Sequence, residues 1–223
     1  MDDVDQVDQK AGPLSERARV RREAHRADYD RATLDAIVDA AYVCHVAFAD
    51  ARGTHCIPTA CWRQGDYLYL HGSNGSQMLK AAASGVQVCA TVTHLDGLVL
   101  ARSAFNHSMN YRTAVIYGVC ETVTGEHKAE SLDALVEHIA RGRSHEIRRG
   151  NPKELAATTV LRIPLTEFAC KIRAGGPNDD DEDLDLPVWA GVLPFELAQR
   201  PAIADTPQVA EPAYVAQWAR DQR

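Results

Sequence analysis

The stretch Tyr69-Leu70-His71-Gly72-Ser73-Asn74-Gly75-Ser76-Gln77-Met78-Leu79-Lys80 gathers residue types suited to holding an anion. A strand-like run gives way to a loop of Gly, Ser and Asn, and the loop opens a helical pattern. Glycines let backbone amides turn toward a ligand, the first turn of a helix carries unpaired N–H groups, and Lys80 adds a cation. That combination can cradle a phosphate. It is neither G-x-x-x-x-G-K-[ST] nor G-x-G-x-x-G. Taken alone, a strand-to-helix connection with Ser76 as cap is the simpler reading of the same letters. His71, at the strand end, reads either as a ligand contact or as a rim histidine.

Other chemistry is harder to assemble from this chain. Nothing has the form of a nucleophile elbow, so no Ser-His-Asp arrangement can be inferred. Six cysteines (Cys44, Cys56, Cys61, Cys89, Cys120, Cys170) form no C-x-x-C pair and lie mostly in apolar, strand-like runs. That predicts buried reduced thiols and no zinc centre. His94 and Asp96 could be paired on a metal, but Asp96 before Gly97 is expected to start a hairpin turn. His107, between Asn106 and Ser108, reads as a loop hydrogen-bonder. No metal ligand and no catalytic side chain is assigned.

The elements that must position the loop follow from the period of the apolar residues. Asp30 is a good N-cap for a helix carrying Leu34, Ile37, Val38 and Ala41. Strands are expected over 42–48, 55–63 and 67–71, with turns at 50–53 and 64–66, which makes an antiparallel meander. A short helix over 76–84 stops at Gly85. A strand over 86–94 turns at 96–97 and returns over 98–103, and a long strand covers 111–123. Leu132, Leu135, Val136 and Ile139 mark an amphipathic helix. Strands over 158–163 and 168–173 follow, with Pro164 in the break between them. About seven strands with two or three helices predict a mainly β protein, a small antiparallel barrel with flanking helices.

Domain organisation is read as a flexible basic arm over 1–28, a barrel domain over 29–175 and a C-terminal extension over 176–223. The arm holds Arg17, Arg19, Arg21, Arg22 and Arg26. The extension carries six carboxylates between 179 and 185. That acidic loop is expected to be solvated, packed on the barrel, or paired with the arm of a neighbouring subunit. Across 223 residues, 24 Lys and Arg face 31 Asp and Glu, a net charge of −7. This balance argues against a nucleic-acid partner. No apolar run approaches the ~18–20 residues of a membrane span. Met1 is followed by Asp2, Asp3 and Asp5 with no apolar leader, so a cytoplasmic protein is expected.

Several short stretches occur in a telling order. They are Arg19-Val20-Arg21-Arg22 with Tyr29-Asp30-Arg31, Tyr42-Val43-Cys44-His45-Val46 with Ile57-Pro58-Thr59, Leu70-His71-Gly72-Ser73 through Lys80, Asn106-His107-Ser108-Met109-Asn110-Tyr111-Arg112, and Val188-Trp189-Ala190-Gly191-Val192-Leu193-Pro194. Spanning 17 to 195, they resemble the pyridoxamine 5'-phosphate oxidase-like flavoproteins, the FMN-binding split-barrel family. More closely, the chain resembles the flavin-nucleotide-binding branch related to nitroimidazole-resistance reductases.

The resemblance implies an antiparallel split β-barrel that forms a homodimer with one FMN in each of two clefts between subunits. By position, Ile57, Pro58 and Thr59 would line the isoalloxazine, and Ser73, Ser76, Gln77 and Lys80 would hold the phosphate. Arg112 would reach the phosphate or ribityl chain, Asn110 a polar flavin edge, and His71 the flavin or a substrate. Trp189 would cover the ring by stacking. Where the superfamily often has Arg-Lys in the loop, this chain has Gln77-Met78. The implied activity is that of an FMN-dependent oxidoreductase, reduced by NAD(P)H and acting on a small substrate such as a nitro-aromatic compound. A B6 vitamer is disfavoured, because no match to a substrate-phosphate site is present. The alternative on the same fold is a non-catalytic flavin or haem carrier or sensor.

Overall fold

The structure, a computed structural model, describes residues 11–206 and 208–218. The acidic first residues that argued against a leader lie outside it, as do Pro207 and the last five residues. In chain order the elements are β1 (Ala27–Asp28), α1 (Arg31–Asp39), β2 (Val43–Asp50), β3 (Gly53–Gln64), β4 (Tyr67–Ser73), α2 (Gln77–Ala83), β5 (Gln87–Leu100), β6 (Ser108–Val119), β7 (Glu121–Val123), α3 (Gly125–Ile139), α4 (Pro152–Ala157), β8 (Thr158–Pro164), β9 (Phe168–Arg173), β10 (Gly191–Pro194) and α5 (Ala213–Gln217).

All strand pairings are antiparallel and build one curled sheet in the order β1-β9-β6-β5-β2-β3-β4-β8-β7, with β10 added to β5. The sheet does not close: β1 and β7 remain its ends. This is the mainly β, antiparallel architecture that the alternation of apolar residues predicted, open as the resemblance to split barrels implies.

Period-two alternation decides which face is core. Cys44, Val46 and Phe48, then Cys61, Leu68 and Leu70, point inward with Ala90, Val92, Ala114, Ile116, Leu161 and Ile163. Helix α1 contributes Leu34, Ile37 and Val38 to this core, and its cap is as expected, Asp30 accepting from the Ala32 N–H at 3.0 Å. Helix α2 contributes Met78, Leu79 and Ala82. On the opposite face of the sheet a second cluster of Trp62, Tyr69, Val123, Val160 and Leu135 packs under α3.

Two expectations are corrected. Asp96-Gly97 is not a hairpin turn: β5 runs unbroken through it, with a register shift between Leu95 and Gly97 opposite β6. The glycine is there for a different reason, since a Cβ at Gly97 would stand 2.8 Å from the Leu193 carbonyl oxygen. Its bare backbone admits β10 at close range and accommodates the bulge. The strand expected over 111–123 is two strands interrupted at Cys120, and α4 and β10 had no counterpart in the periodicity.

The described part of the basic arm lies against the barrel. Ala18 is buried, Arg17 pairs with Glu167 and stands 4.8 Å above the Tyr117 ring, and Lys171 donates to the Arg22 carbonyl at 2.9 Å. From the acidic loop, Asp179 accepts from the Arg102 backbone N–H at 2.8 Å and from its guanidinium at 2.7 Å. The six cysteines are unpaired thiols, four of them buried. Burial pushes Cys120 and Cys170 up to about 12, and Cys44, beside Cys61, is also raised. These thiols are therefore inert at neutral pH. No helix among the described residues is long and apolar enough to cross a membrane.

Candidate functional site

The Gly/Ser/Asn loop connects β4 to α2 and is clamped from below. Asn74 donates from its backbone N–H to the Ala157 carbonyl at 3.0 Å and from Nδ2 to the Ala156 carbonyl at 2.6 Å. Its Oδ1 accepts from the Thr159 hydroxyl at 2.8 Å. The loop is thus pinned to the corner where α4 becomes β8. Within it, Ser73 Oγ accepts from the Gly75 N–H at 3.1 Å and Ser76 Oγ caps α2 through the Leu79 N–H at 3.3 Å. Both hydroxyl oxygens are therefore used in holding the loop's shape. Gln77 and Lys80 are exposed and carry no hydrogen bond or ion pair from their side chains among the described residues. Lys80 is the cation the loop leaves free.

The other nominated residues are dispersed. Ile57, Pro58 and Thr59 sit in β3 opposite Val46, His45 and Cys44. Alternation sends Pro58 to one face of the sheet and its two neighbours to the other. The three side chains are therefore divided between the two faces. Pro58 does lie where its missing donor is harmless: the Cys61 N–H points to the Tyr42 carbonyl just ahead of β2, so that of residue 58 would point toward β4, whose pairing begins only at Cys61.

Asn110 is 8% exposed and bridges the Arg173 guanidinium, at 2.5 Å, and the Gly175 carbonyl, at 3.1 Å. Arg112 forks onto Asp96 at 2.8 and 2.9 Å and holds that carboxyl below the usual carboxylate range. It also lines a cavity of about 540 Å³ with Tyr42, His94, Gln199 and Trp218. His94, facing Arg112 across the strands, contacts the Ile37 carbonyl of α1 through Nε2 at 2.9 Å. Trp189 is 64% exposed, its ring lying against Gly191, where an added Cβ would meet it at 2.9 Å.

His71 stands apart from the other histidines. It occupies β4 opposite Val160, in edge contact with Trp62 at 5.8 Å between centroids. Its Nδ1 is buried with no hydrogen-bond partner, and so is Trp62 Nε1 beside it. Burial pushes the imidazole below its ordinary value, so it is neutral at neutral pH. Tyr69, two residues earlier on the same face, stacks on Trp62 at 5.5 Å, and its hydroxyl meets His127 Nε2 of α3 at 3.0 Å. The i, i+2 run Tyr67-Tyr69-His71 shows this face in the letters alone. Trp62, reached only through the β3–β4 register, has no such local signal.

Among the described residues no group of three or more His, Cys, Asp and Glu side chains could hold a metal ion by itself. What the surface offers is a Gly/Ser/Asn loop with one free lysine, a broad cavity under the C-terminal segment, and an imidazole with an unpaired ring nitrogen at a strand end.

The family model for pyridoxamine 5'-phosphate oxidase matches residues 30–172. No match is found among curated proteins. Among solved structures, the flavocytochrome Anf3 from Azotobacter vinelandii is 36% identical, with a TM-score of 0.88 over 93% of this chain and 99% of that one. The FAD and haem binding protein from Mycobacterium smegmatis is also 36% identical, with a TM-score of 0.82 over 87% of this chain and 97% of that one. A protein assigned to 5-nitroimidazole antibiotic resistance from Bacteroides thetaiotaomicron shares the fold at 21% identity, with a TM-score of 0.55 over 66% of this chain and 86% of that one. With its open antiparallel barrel and a family match over most of its length, the chain belongs to the pyridoxamine 5'-phosphate oxidase-like superfamily of flavin-binding split barrels.

Proposed function

We propose that this protein is a redox protein that binds a flavin nucleotide and haem together. The observation that carries the reading is the extent of the two 36% matches. A span of 93% of the chain is reached only by running well past both ends of the family segment 30–172. The segments outside the common barrel are thus shared with a flavocytochrome and an FAD and haem binding protein. The nitroimidazole-resistance structure, covering 66%, leaves a third of the chain unmatched. The small-molecule reductase reading has no such support from the extensions.

The residues present fit both groups. A flavin phosphate needs a cation and backbone donors, and the 73–80 loop supplies the free Lys80. Haem needs a neutral nitrogen donor beside an apolar surface, and the orphaned Nδ1 of His71 marks an imidazole that the fold itself does not satisfy. The flavin is read as FAD, following the mycobacterial relative, with FMN as the expectation of the wider family. The flavin supplies two-electron chemistry with NAD(P)H, and the haem supplies one-electron chemistry. The chain's own part is to bind and orient the two groups and to exclude water. Two copies are proposed to associate through other exposed apolar residues of the sheet, which include Ile57, Leu98 and Met109.

The test is titration of the full chain with FAD, FMN and haemin separately, then anaerobic mixing of the doubly loaded protein with NADH or NADPH. Bleaching of the flavin bands followed by reduction of the haem is expected. A protein that takes flavin but leaves haemin unbound returns the reading to a simple flavoprotein. Sedimentation should give a species near twice 24.4 kDa.

A further inference from the structure

We infer that His71 is the side chain that binds the haem iron, and that the open strip of sheet next to it receives the porphyrin. This rests on the flavin-and-haem reading above and adds the residue and the surface. The histidines divide by what they already do. His94, His107 and His138 each contact a backbone carbonyl, of Ile37, Ser103 and Ala41. His127 is tied to Tyr69, His55 to Asp50, and His25 faces Glu23 at 3.7 Å. His45 and His145 are exposed. Only His71 combines partial burial with a buried ring nitrogen that has no partner among the described residues.

The ground beside it is suited to a flat apolar group. Cys61 faces Leu70, so Ala60 lies next to His71 across the β3–β4 boundary, and Val43 faces Ala60 from β2. Pro58, two residues along, is on the same face. Ala60, Pro58 and Val43 make a low apolar strip, bordered on the same face by the exposed His45 opposite Pro58, and Val43 is 50% exposed. The same face a few ångströms away is roofed by α3 over Trp62, Tyr69 and Val160. His71 stands at the line where the roof stops, its ring edge-on to Trp62. Binding here is coordination without electron transfer: Nδ1 is closed off by burial and keeps the hydrogen, and Nε2 gives its lone pair to the iron, displacing a water.

The experiment is haemin reconstitution of the full chain and its variants, read by the Soret band, the ferric EPR spectrum and a haemin titration. For His71→Ala the expectation is a changed Soret band and EPR signal and a haemin affinity at least about tenfold weaker. Far-UV circular dichroism and a cooperative thermal melt serve as the check that this variant is folded. In His71→Gly, added imidazole should restore the original spectrum, which separates lost ligation from lost structure. His107→Ala and His127→Ala should leave the spectrum as it was. An unaltered spectrum and affinity in His71→Ala, failure of imidazole to rescue His71→Gly, or loss of the signal in His107→Ala, would overturn the assignment. If the unmodified chain takes up no haemin at all, it is the haem reading itself that fails, and the assignment falls with it.

Discussion

Two parts of one sheet face, only a few residues apart, are finished in opposite ways. Under α3, Trp62, Tyr69 and Val160 are sealed from solvent with Val123 and Leu135. Beside them Val43, Pro58 and Ala60 stay partly or fully open, and His71 keeps a buried nitrogen unpaired. An antiparallel sheet ordinarily packs one face and wets the other. Here the outer face is half roofed, and the strip of Val43, Pro58 and Ala60 beside the roof is apolar and uncovered. The difference separates what the fold needs for itself from what it leaves for something else.

The largest effect that tests this contrast is on stability. Trp62→Ala should destabilise the protein by ~3–5 kcal/mol in urea unfolding, as for other fully buried large side chains, whereas Val43→Ser should stay within ~0.5 kcal/mol. Equal effects would mean that the open strip is as much a part of the protein's own core as the roofed one. Gly97→Ala should come next. The added methyl meets the Leu193 carbonyl, so β10 must shift, at about 1–3 kcal/mol. Trp189, just ahead of β10, should report the shift as a change in fluorescence, and an unchanged emission would show that β10 is not held by that close approach.

Smaller still is the loop. Ser76→Ala removes the cap of α2 and should reduce stability by ~1 kcal/mol. Lys80→Ala should leave stability alone. The two changes together should weaken flavin binding by ~2–4 kcal/mol, the range for charge-assisted hydrogen bonds. Undiminished flavin affinity would move the phosphate away from this loop.

The smallest expected effect concerns the roof itself. Glu137, near the end of α3, accepts from the Gly142 N–H at 2.7 Å and the Ser144 N–H at 2.9 Å, which holds its carboxyl at about 2, against 4.5 when free. A depressed folded value stabilises above the unfolded one, so this contribution is complete above about pH 4.5 and is lost as pH falls through about 2. Thermal melts of Glu137→Gln and the parent chain should therefore differ at neutral pH and converge on acidification. A constant gap across that range would contradict the assignment.

Much of this was legible in the letters. The caps at Asp30 and Ser76, the inward residues of β2 and β4 and the helix carrying Leu132 and Leu135 all follow from local periodicity. What stayed hidden depends on partners distant in sequence. Gly97 reads as a turn because its true neighbour, Leu193, is about a hundred residues away. The partners of Arg112 and Asn110, namely Asp96, Arg173 and Gly175, cannot be seen from residue type. His71 was legible as a residue at a strand end. Its unpaired nitrogen was not, because that follows from the β3–β4 register and the limit of α3.

The most direct test is to quantify both groups on one sample: flavin released on denaturation and haem as its pyridine complex, after loading with excess of each and exhaustive gel filtration. Co-retention of both by the same protein peak, in comparable amounts per chain, is the predicted result. Retention of flavin with haemin washing through, at any loading, would contradict it.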